Sequence, residues 1–190
     1  IELYDAVDIT VEDCRFNNCG SAGVFISGGS SAANVPTRID IHGNRFYNCN
    51  DGIFVYVGGN EIHVDGNFIR KCGRGGIYLD DVSTGDGSST SIAVLRSTVT
   101  GNFISDFGIH ASGYGITSGQ MENCIVSGNQ IFDGIGDAIS IFAGGHSADP
   151  PLPSKYVTIA DNHIRGVSGG GIVGVGMQDS NIHDNILIDC

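Results

Sequence analysis

Several kinds of residue are scarce in this sequence, and their scarcity narrows the classes of protein it can belong to. The 190 residues include no tryptophan, four prolines, and nine lysines and arginines against 21 acidic residues, for a formal net charge of −12. A phosphate-binding surface would have to form against this negative field, so we expect no nucleic-acid partner. No stretch approaches the ~20 consecutive apolar residues of a membrane helix, so we expect no membrane span.

Glycine, in contrast, is abundant, at 30 of 190 residues. A collagen-like chain or a disordered Pro/Gly-rich chain would also be rich in proline, which this sequence is not. The length suits a single domain that can bury a core. The composition therefore predicts one repetitive domain with many tight turns.

An internal repeat is marked by an asparagine in the strings GNRF, GNFI, GNFI, GNQI, DNHI and DNIL. We call these the marker asparagines: Asn44, Asn67, Asn102, Asn129, Asn162 and Asn185. Cys14 takes the same slot in an earlier copy, and the successive intervals are 30, 23, 35, 27, 33 and 23 residues. A minimum unit of 23 residues with additions of free length is typical of stacked coils, whereas helical repeats keep a fixed period.

Each unit contains alternating apolar and polar residues, as at positions 39–42, which is the pattern of a half-buried strand. A second strand follows most markers after eight or nine residues, as at 53–55 and 77–79, and we expect a short third strand at the Asn-x-Phe/Ile step. Stacked, these units predict an all-β, parallel β-helix of about seven coils. Crossover connections between parallel strands are almost always right-handed, and the repeat unit is longer than the ~18-residue coil of left-handed hexapeptide helices. Both observations predict a right-handed solenoid.

The repeat resembles that of right-handed parallel β-helix proteins, which include pectate lyases, polygalacturonases, alginate epimerases and phage tail spikes. The resemblance covers the whole chain and implies this fold, a polysaccharide partner, and a location outside the cell, on the cell surface or in a virion. Inward marker asparagines fit it, since their amides would bond the coils above and below as a ladder. The alternative is a surface turn in which the asparagine itself is left-handed.

The catalytic motifs of these relatives are not matched. Tyr114-Gly115-Ile116-Thr117 lacks the aspartate and histidine of the Tyr-Gly-Phe-Asp-Pro-His motif of alginate epimerases. Asp80-Asp81 and Gly145-His146 resemble parts of the polygalacturonase motifs, but their spacing does not fit. The resemblance therefore assigns no catalytic residue.

The six cysteines are predicted to pack in the core as free thiols. Four of them lie five residues after a marker slot and form a column: Cys19, Cys49, Cys72 and Cys190. We expect Cys124 at an inward strand position. Short paired spacings such as Cys-x-x-Cys, which a zinc site would use, are missing, and buried thiols behave as small hydrophobic groups.

Both ends of the sequence predict that the repeat array continues. Residues 1–4 match the second strand of a preceding coil, and Cys190 stops before its own second strand. Repeat arrays end in polar caps, and neither end resembles one. We therefore interpret residues 1–190 as a single β-helix domain from the middle of a longer chain.

A binding site on a solenoid must come from outward side chains and from the loops beside them. Long insertions follow the second strand in alternate coils: SGGSSAANVPT, DVSTGDGSSTS and GGHSADPPLPS. We therefore predict that loops rise beside the second-strand sheet and form a wall along it. Its outward face carries stacked aromatics, and the predicted substrate-binding residues are Phe54, Tyr56, Tyr78, Tyr114 and Phe142. A platform for sugar rings and a stripe covered by loops or by a partner subunit both fit this pattern.

Acidic and histidine residues near this face are the catalytic candidates: Asp80, Asp137, His110 and His146. Asp80 is the preferred acid or nucleophile, because alternation turns it outward one strand step past Tyr78. Asp137 lies two coils away, a separation of ~10 Å that fits an inverting pair of carboxyl groups. The two histidines are candidate acids or bases from opposite walls, and solvated loop residues are the alternative for all four.

We predict no required cofactor, although the acidic loop LDDVSTGDG offers Asp80, Asp81 and Asp86 as oxygen ligands for calcium. The leading interpretation is a polysaccharide-binding β-helix module that also degrades its ligand, as a glycoside hydrolase, lyase or epimerase. The competing interpretation is a non-catalytic shaft or adhesin module of a tail spike or surface protein. In that case the aromatic stripe would be an interface, for example in a homotrimer.

Overall fold

The computed structural model describes residues 1–28, 34–56, 58–80, 93–110, 113–143 and 152–190. These residues form strands that turn through three parallel sheets in a repeating order, which we name sheets A, B and C. Every strand pair is parallel, as the sequence pattern predicted. Within the described residues, no helix is long and apolar enough to cross a membrane.

Sheet A contains the second strands of the sequence repeat, one from each of seven coils. Its order is β1 (Glu2–Tyr4), β4 (Ala22–Ser27), β7 (Asp51–Tyr56), β10 (Gly75–Leu79), β14 (Gly113–Ser118), β18 (Gly136–Ile141) and β22 (Ile172–Gly174). Seven stacked strands confirm the predicted number of coils.

Sheet B contains the strands that precede each marker. It begins with β2 (Val7–Glu12), β5 (Thr37–His42) and β8 (Gly59–Asp65) as continuous strands. From the next coil onward each strand is divided by a bend into a pair: β11 (Val94–Leu95) and β12 (Thr98–Thr100), β15 (Met121–Glu122) and β16 (Ile125–Ser127), β19 (Ser154–Lys155) and β20 (Thr158–Ala160), β23 (Met177–Gln178) and β24 (Asn181–His183).

Sheet C consists of the short third strands expected just after each marker. They are β3 (Arg15–Asn17), β6 (Arg45–Tyr47), β9 (Phe68–Arg70), β13 (Phe103–Ser105), β17 (Gln130–Phe132), β21 (His163–Arg165) and β25 (Ile186–Ile188). The middle residue of each strand points inward, and from β6 to β21 it is a fully buried phenylalanine or isoleucine.

The core is a set of aliphatic columns that run along the helix axis. In sheet A, Ile53, Ile77, Ile116 and Ile139 are register partners and are almost fully buried. Sheet B contributes a column of isoleucines and valines in the same way. Each strand is therefore apolar on its inner face only, which explains the alternation in the sequence.

The marker asparagines form the predicted ladder between sheets B and C. The Asn67 side-chain amide donates to Asn102 Oδ1 at 3.0 Å and to the Ile41 carbonyl at 2.8 Å, and the Asn67 backbone N–H donates to Asn102 Oδ1 at 3.0 Å. The same contacts repeat from Asn44 to Asn185. Asn67 and Asn102 are each 1% exposed, so the surface-turn alternative is wrong.

The residue before each marker, and not the asparagine, adopts the left-handed conformation. Gly43, Gly66, Gly101 and Gly128 have φ between 61° and 65°, and Asp161 and Asp184 have φ of 57° and 55°. Glycine, aspartate and asparagine tolerate this conformation best. The Gly-Asn and Asp-Asn pairs of the repeat therefore combine a left-handed turn residue with a buried amide.

The cysteines are free thiols, as predicted, although their environments differ along the column. Cys49 and Cys72 are buried, Cys19 is half-buried and Cys190 is exposed. Cys124 is buried but does not lie in a strand, because it occupies the bend between β15 and β16, which corrects its predicted place. Burial raises the pKa of Cys72 to about 12 and that of Cys124 to about 11.

The ladder predicts a large loss of stability for Asn102→Ala. In this variant the backbone N–H and the side-chain amide of Asn67 lose their acceptor, Asn102 Oδ1, inside the core. Unsatisfied buried donors cost about 1–3 kcal/mol each, so we expect about 2–4 kcal/mol of lost unfolding free energy in urea titrations. Asn17→Ala is the matched control, since Asn17 is exposed on β3. Equal losses in the two variants would contradict a structural role for the ladder.

The thiol pKa values predict selective alkylation. With a pKa of about 12, only about one Cys72 thiol in ten thousand is ionised at pH 8. Iodoacetamide at pH 8 should therefore label the exposed Cys190 while Cys72 and Cys124 react only in denaturant, as read by peptide mass spectrometry. Labelling of Cys72 in the native chain at the rate of Cys190 would contradict this burial.

Because folding raises the pKa of Cys72, the contribution of this thiol to the stability of the fold should be complete below pH 9 and should fall as the pH rises towards 12.

Candidate functional site

An unbroken row of aromatic side chains covers the outer face of sheet A. Strand register places Phe25, Phe54 and Tyr78 in one outward column, and the outward side chains of neighbouring positions extend it. We call the full set the aromatic row: Tyr4, Phe25, Phe54, Tyr56, Tyr78, Tyr114 and Phe142. All five predicted substrate-binding residues belong to it, and Tyr4 and Phe25 extend it along the first two strands of the sheet.

Neighbouring rings of the row contact one another edge to face. Ring centroids are 5.6 Å apart for Phe25 and Phe54, 5.2 Å for Phe54 and Tyr78, and 6.0 Å for Tyr78 and Tyr114, with interplanar angles of 68–76°. This is the geometry that ring quadrupoles favour. Tyr4 and Tyr56 are exposed and the other rings are half-buried, so the row is both supported from below and open to solvent.

Arg74 packs against two rings at the centre of the aromatic row. Its guanidinium carbon lies 4.9 Å from the ring centroids of both Phe54 and Tyr78. The same group donates two hydrogen bonds to Asp51, from Nε at 3.0 Å and from Nη2 at 2.8 Å. The Asp51 hydrogen bonds raise the pKa of Arg74, which is therefore a permanent cation held between two rings.

Asp51 holds Arg74 in place beneath the row. It is only 2% exposed and uses both carboxylate oxygens for Arg74. Arg74 itself precedes its strand, so alternation along the strand could not assign it to the row. Burial raises the pKa of the Tyr78 phenol and the nearby Arg74 charge offsets part of that rise, so the phenol is a neutral hydrogen-bonding group near pH 7.

A cavity of about 270 Å³ opens beside the row at the end of the central strands. Three aromatic, three polar and two small residues line it: Tyr78, Asp80, Tyr114, Thr117, Ser118, Gly119, Phe142 and Ala143. Four residues predicted from the sequence therefore meet here, namely Asp80 with Tyr78, Tyr114 and Phe142. Thr117, Ser118 and Gly119 were not predicted, since their side chains carry no distinctive chemistry in the sequence.

Asp137 lies at the opposite end of the strands and serves a local structural purpose. Its Oδ1 accepts a hydrogen bond from the Gly170 N–H at 2.7 Å, and its Oδ2 accepts one from Ser140 Oγ at 2.9 Å. Both oxygens are thus engaged, and the residue does not line the cavity.

The predicted pairing of Asp80 with Asp137 is wrong on geometry. Strand register aligns Asp137 with Tyr114 and Gly75, and Asp80 lies five residues beyond Gly75. Two strand spacings combined with five residues along the strand give a Cα separation of about 19 Å. An inverting glycosidase needs carboxyl groups about 6.5–9.5 Å apart. The prediction considered the stacking distance and neglected the offset along the strand.

Of the two predicted histidines, His110 does not line the cavity, and His146 lies outside the described residues. His110 is exposed at the starting edge of the sheet A strands, where its ring lies against Gly73 and its backbone N–H donates to the Gly73 carbonyl at 3.1 Å. It lines a separate groove with Cys19, Cys49 and several asparagines. Most of the three predicted wall loops also lie outside the described residues.

The calcium site stays a prediction. Asp80 lines the cavity, whereas Asp81 and Asp86 lie outside the described residues. Among the residues that are described, no group of three or more His, Cys, Asp or Glu side chains could hold a metal ion.

The floor of the site depends on a close approach between two coils at Gly113. A Cβ atom at this position would lie 1.8 Å from the Arg74 carbonyl oxygen and 2.9 Å from Gly108 Cα. Only glycine allows the backbone of β14 to approach so closely, and this contact positions Tyr114 beside Tyr78.

Comparison with known proteins agrees with this architecture. A family model described as "Right handed beta helix region" matches residues 1–148. A solved structure titled "Glycoside hydrolase" superposes on 99% of the chain with a TM-score of 0.64 at 16% sequence identity. The chain spans about a third of that structure's length, with 33% of it covered. No curated protein sequence matches the chain.

The contact at Gly113 predicts a selective effect of an added methyl group. Gly113→Ala should cost about 1–3 kcal/mol of unfolding free energy, because the Arg74 backbone must move away. Gly20→Ala is the matched control, since no atom lies within 4 Å of a Cβ there. Chemical denaturation compares the two variants, and an unaffected Gly113→Ala protein would show that β10 and β14 do not approach as described.

Proposed function

Because the chain belongs to the right-handed β-helix family, we propose that the outer face of sheet A binds a polysaccharide. The observation that carries this proposal is the continuous aromatic row with a cavity of about 270 Å³ beside it. The row crosses six stacked strands, so it is about 24 Å long at ~4.8 Å per strand. A surface of this shape fits an extended polymer better than a single small molecule.

The chemistry of the row matches that of a sugar chain. Aromatic rings offer apolar surface to the C–H faces of sugar rings, and tyrosine phenols add hydrogen bonds to hydroxyl groups. Asp80 and Thr117 line the cavity with Tyr78 and Tyr114, so polar groups are concentrated at one end of the platform. In our proposal the row holds consecutive sugar units and the cavity fixes one of them.

Binding is the part of the function that this geometry supports best. Hydrolysis of a glycosidic bond uses two carboxyl groups, and among the described cavity residues Asp80 is the one carboxylate. We therefore assign Asp80 as the acid that contacts the sugar, with cleavage as a further activity of the same site. The fold shared with a structure titled "Glycoside hydrolase" supports a carbohydrate role, and we place the protein outside the cell, on a surface or in a virion.

The proposal is tested with Tyr114→Ala. This change removes a ring that contacts both Tyr78 and Phe142, at centroid distances of 6.0 and 6.1 Å. On the best polysaccharide of a broad panel, affinity electrophoresis should show about tenfold or greater weakening, because one aromatic contact with a ligand is worth about 1–3 kcal/mol. Reducing ends and the ultraviolet absorbance of unsaturated products, measured on the same samples, report hydrolysis and lyase cleavage.

Phe132→Ala is the matched control, because Phe132 sits in a similar edge-to-face arrangement on sheet C with Arg165 over its ring. It should bind the polysaccharide as the unchanged chain does. The proposal fails if Tyr114→Ala binds normally, or if sedimentation shows a trimer that buries the aromatic row. The trimer would instead support the shaft interpretation.

A further inference from the structure

A second face of the solenoid carries an arrangement that the proposed function does not use. Arg15 on β3 and Arg45 on β6 are register partners and both are exposed on the outer face of sheet C. In the described part of the chain, neither guanidinium forms an ion pair or a side-chain hydrogen bond. Like charges directly opposite each other on a sheet are destabilising, so this pair carries a cost that no described side chain offsets.

A groove of about 230 Å³ lies at this pair. It is lined by Arg15, Asn17, Arg45, Phe46, Tyr47 and Phe68. Phe68 is 42% exposed and stacks on Phe103 of the following coil, with centroids 4.7 Å apart and planes 3° from parallel. One ring face of Phe68 is therefore covered by Phe103, and the other faces the strands that form the groove.

The surroundings of the groove are positive in a chain whose net charge is −12. Lys71 Nζ lies 5.5 Å from the Tyr47 ring centroid, which adds a third cation to the two arginines. Arg70, the register partner of Tyr47, is neutralised by Asp106 at 2.8 Å. The nearest acid in the sequence, Asp13, lies against Gly43 in the preceding turn. Positively charged side chains are thus concentrated around this groove although the chain as a whole is acidic.

The geometry points to this groove as a binding site for one acidic sugar residue, a hexuronate, separate from the aromatic row. The two guanidiniums bind the carboxylate, for which arginine is the preferred partner. The sugar ring packs its C–H face on Phe68, and Asn17 and Tyr47 bind its hydroxyl groups. A groove of this size suits one sugar unit, and the overall negative charge disfavours a densely charged polyanion.

The test is an NMR titration of the 190-residue chain at low ionic strength with sodium glucuronate, glucose, sodium sulfate and adenosine monophosphate as separate probes. Glucuronate should shift the backbone resonances of residues 15–17, 45–47 and 68 and leave those of the aromatic row unchanged. Glucose should give no shift there, and sulfate should bind more weakly than glucuronate. Arg45→Gln should weaken glucuronate binding about tenfold or more, and Phe68→Ala should weaken it several-fold.

Arg165→Gln is the control variant, because Arg165 is exposed on the same sheet but lies over Phe132, away from the groove. It should bind glucuronate as the unchanged chain does. The inference is overturned if glucuronate leaves the groove residues unshifted, if glucose or sulfate binds equally well, if adenosine monophosphate binds more tightly, or if Arg45→Gln has no effect in a folded chain. Since none of these readouts involves sheet A, failure here and failure of polysaccharide binding at the row are distinguishable.

Discussion

The hydrogen-bonded ladder of buried asparagines is the constraint on which the rest of the structure depends. Each amide joins its own coil to the next and to the preceding sheet B strand, so a coil cannot slip along its neighbour without breaking several buried hydrogen bonds. Register is thereby fixed at the corner between sheets B and C. Because side chains alternate in and out with a period of two, a fixed register at one corner determines which residues point outward on all three sheets.

The two outer faces that follow from this register have opposite chemistry. On sheet A, aromatic rings contact one another continuously, and Arg74, which lies among them, is neutralised by the buried Asp51. On sheet C, Arg15 and Arg45 lie side by side without a carboxylate partner among the described residues. The same solenoid therefore presents an aromatic platform on one face and a positively charged groove on another, although its net charge is −12.

Strand residues were predictable from the sequence because periodic positions are governed by the repeat. The inward markers, the outward places of Tyr78 and Asp80, and the short third strand all follow from a spacing and an alternation that every coil repeats. Residues in turns and insertions carry no such pattern. Arg74 lies outside the alternating segments, which is why it was not assigned to the row. His110 also lies outside them, so the repeat gave its wall but not its distance from the cavity. Cys124 was misplaced because the bend in sheet B has no sequence signature.

The distance between residues on different coils was harder to predict than the face of the sheet on which each residue lies. The number of coils between Asp80 and Asp137 gives their separation along the helix axis. Their separation along the strand direction can be found only from the strand register, which aligns Gly75 with Tyr114 and Tyr114 with Asp137. That offset separates the cavity from the far end of the strands and leaves Asp80 as the described carboxylate within it.

The most direct measurement of the central claim is a crystal structure of the chain with an oligosaccharide prepared from the polysaccharide it binds best. The account predicts consecutive sugar rings packed along Phe54, Tyr78 and Tyr114, with one unit in the cavity next to Asp80. Sugar bound only on another face, or an aromatic row buried between subunits with no sugar on it, would contradict the account.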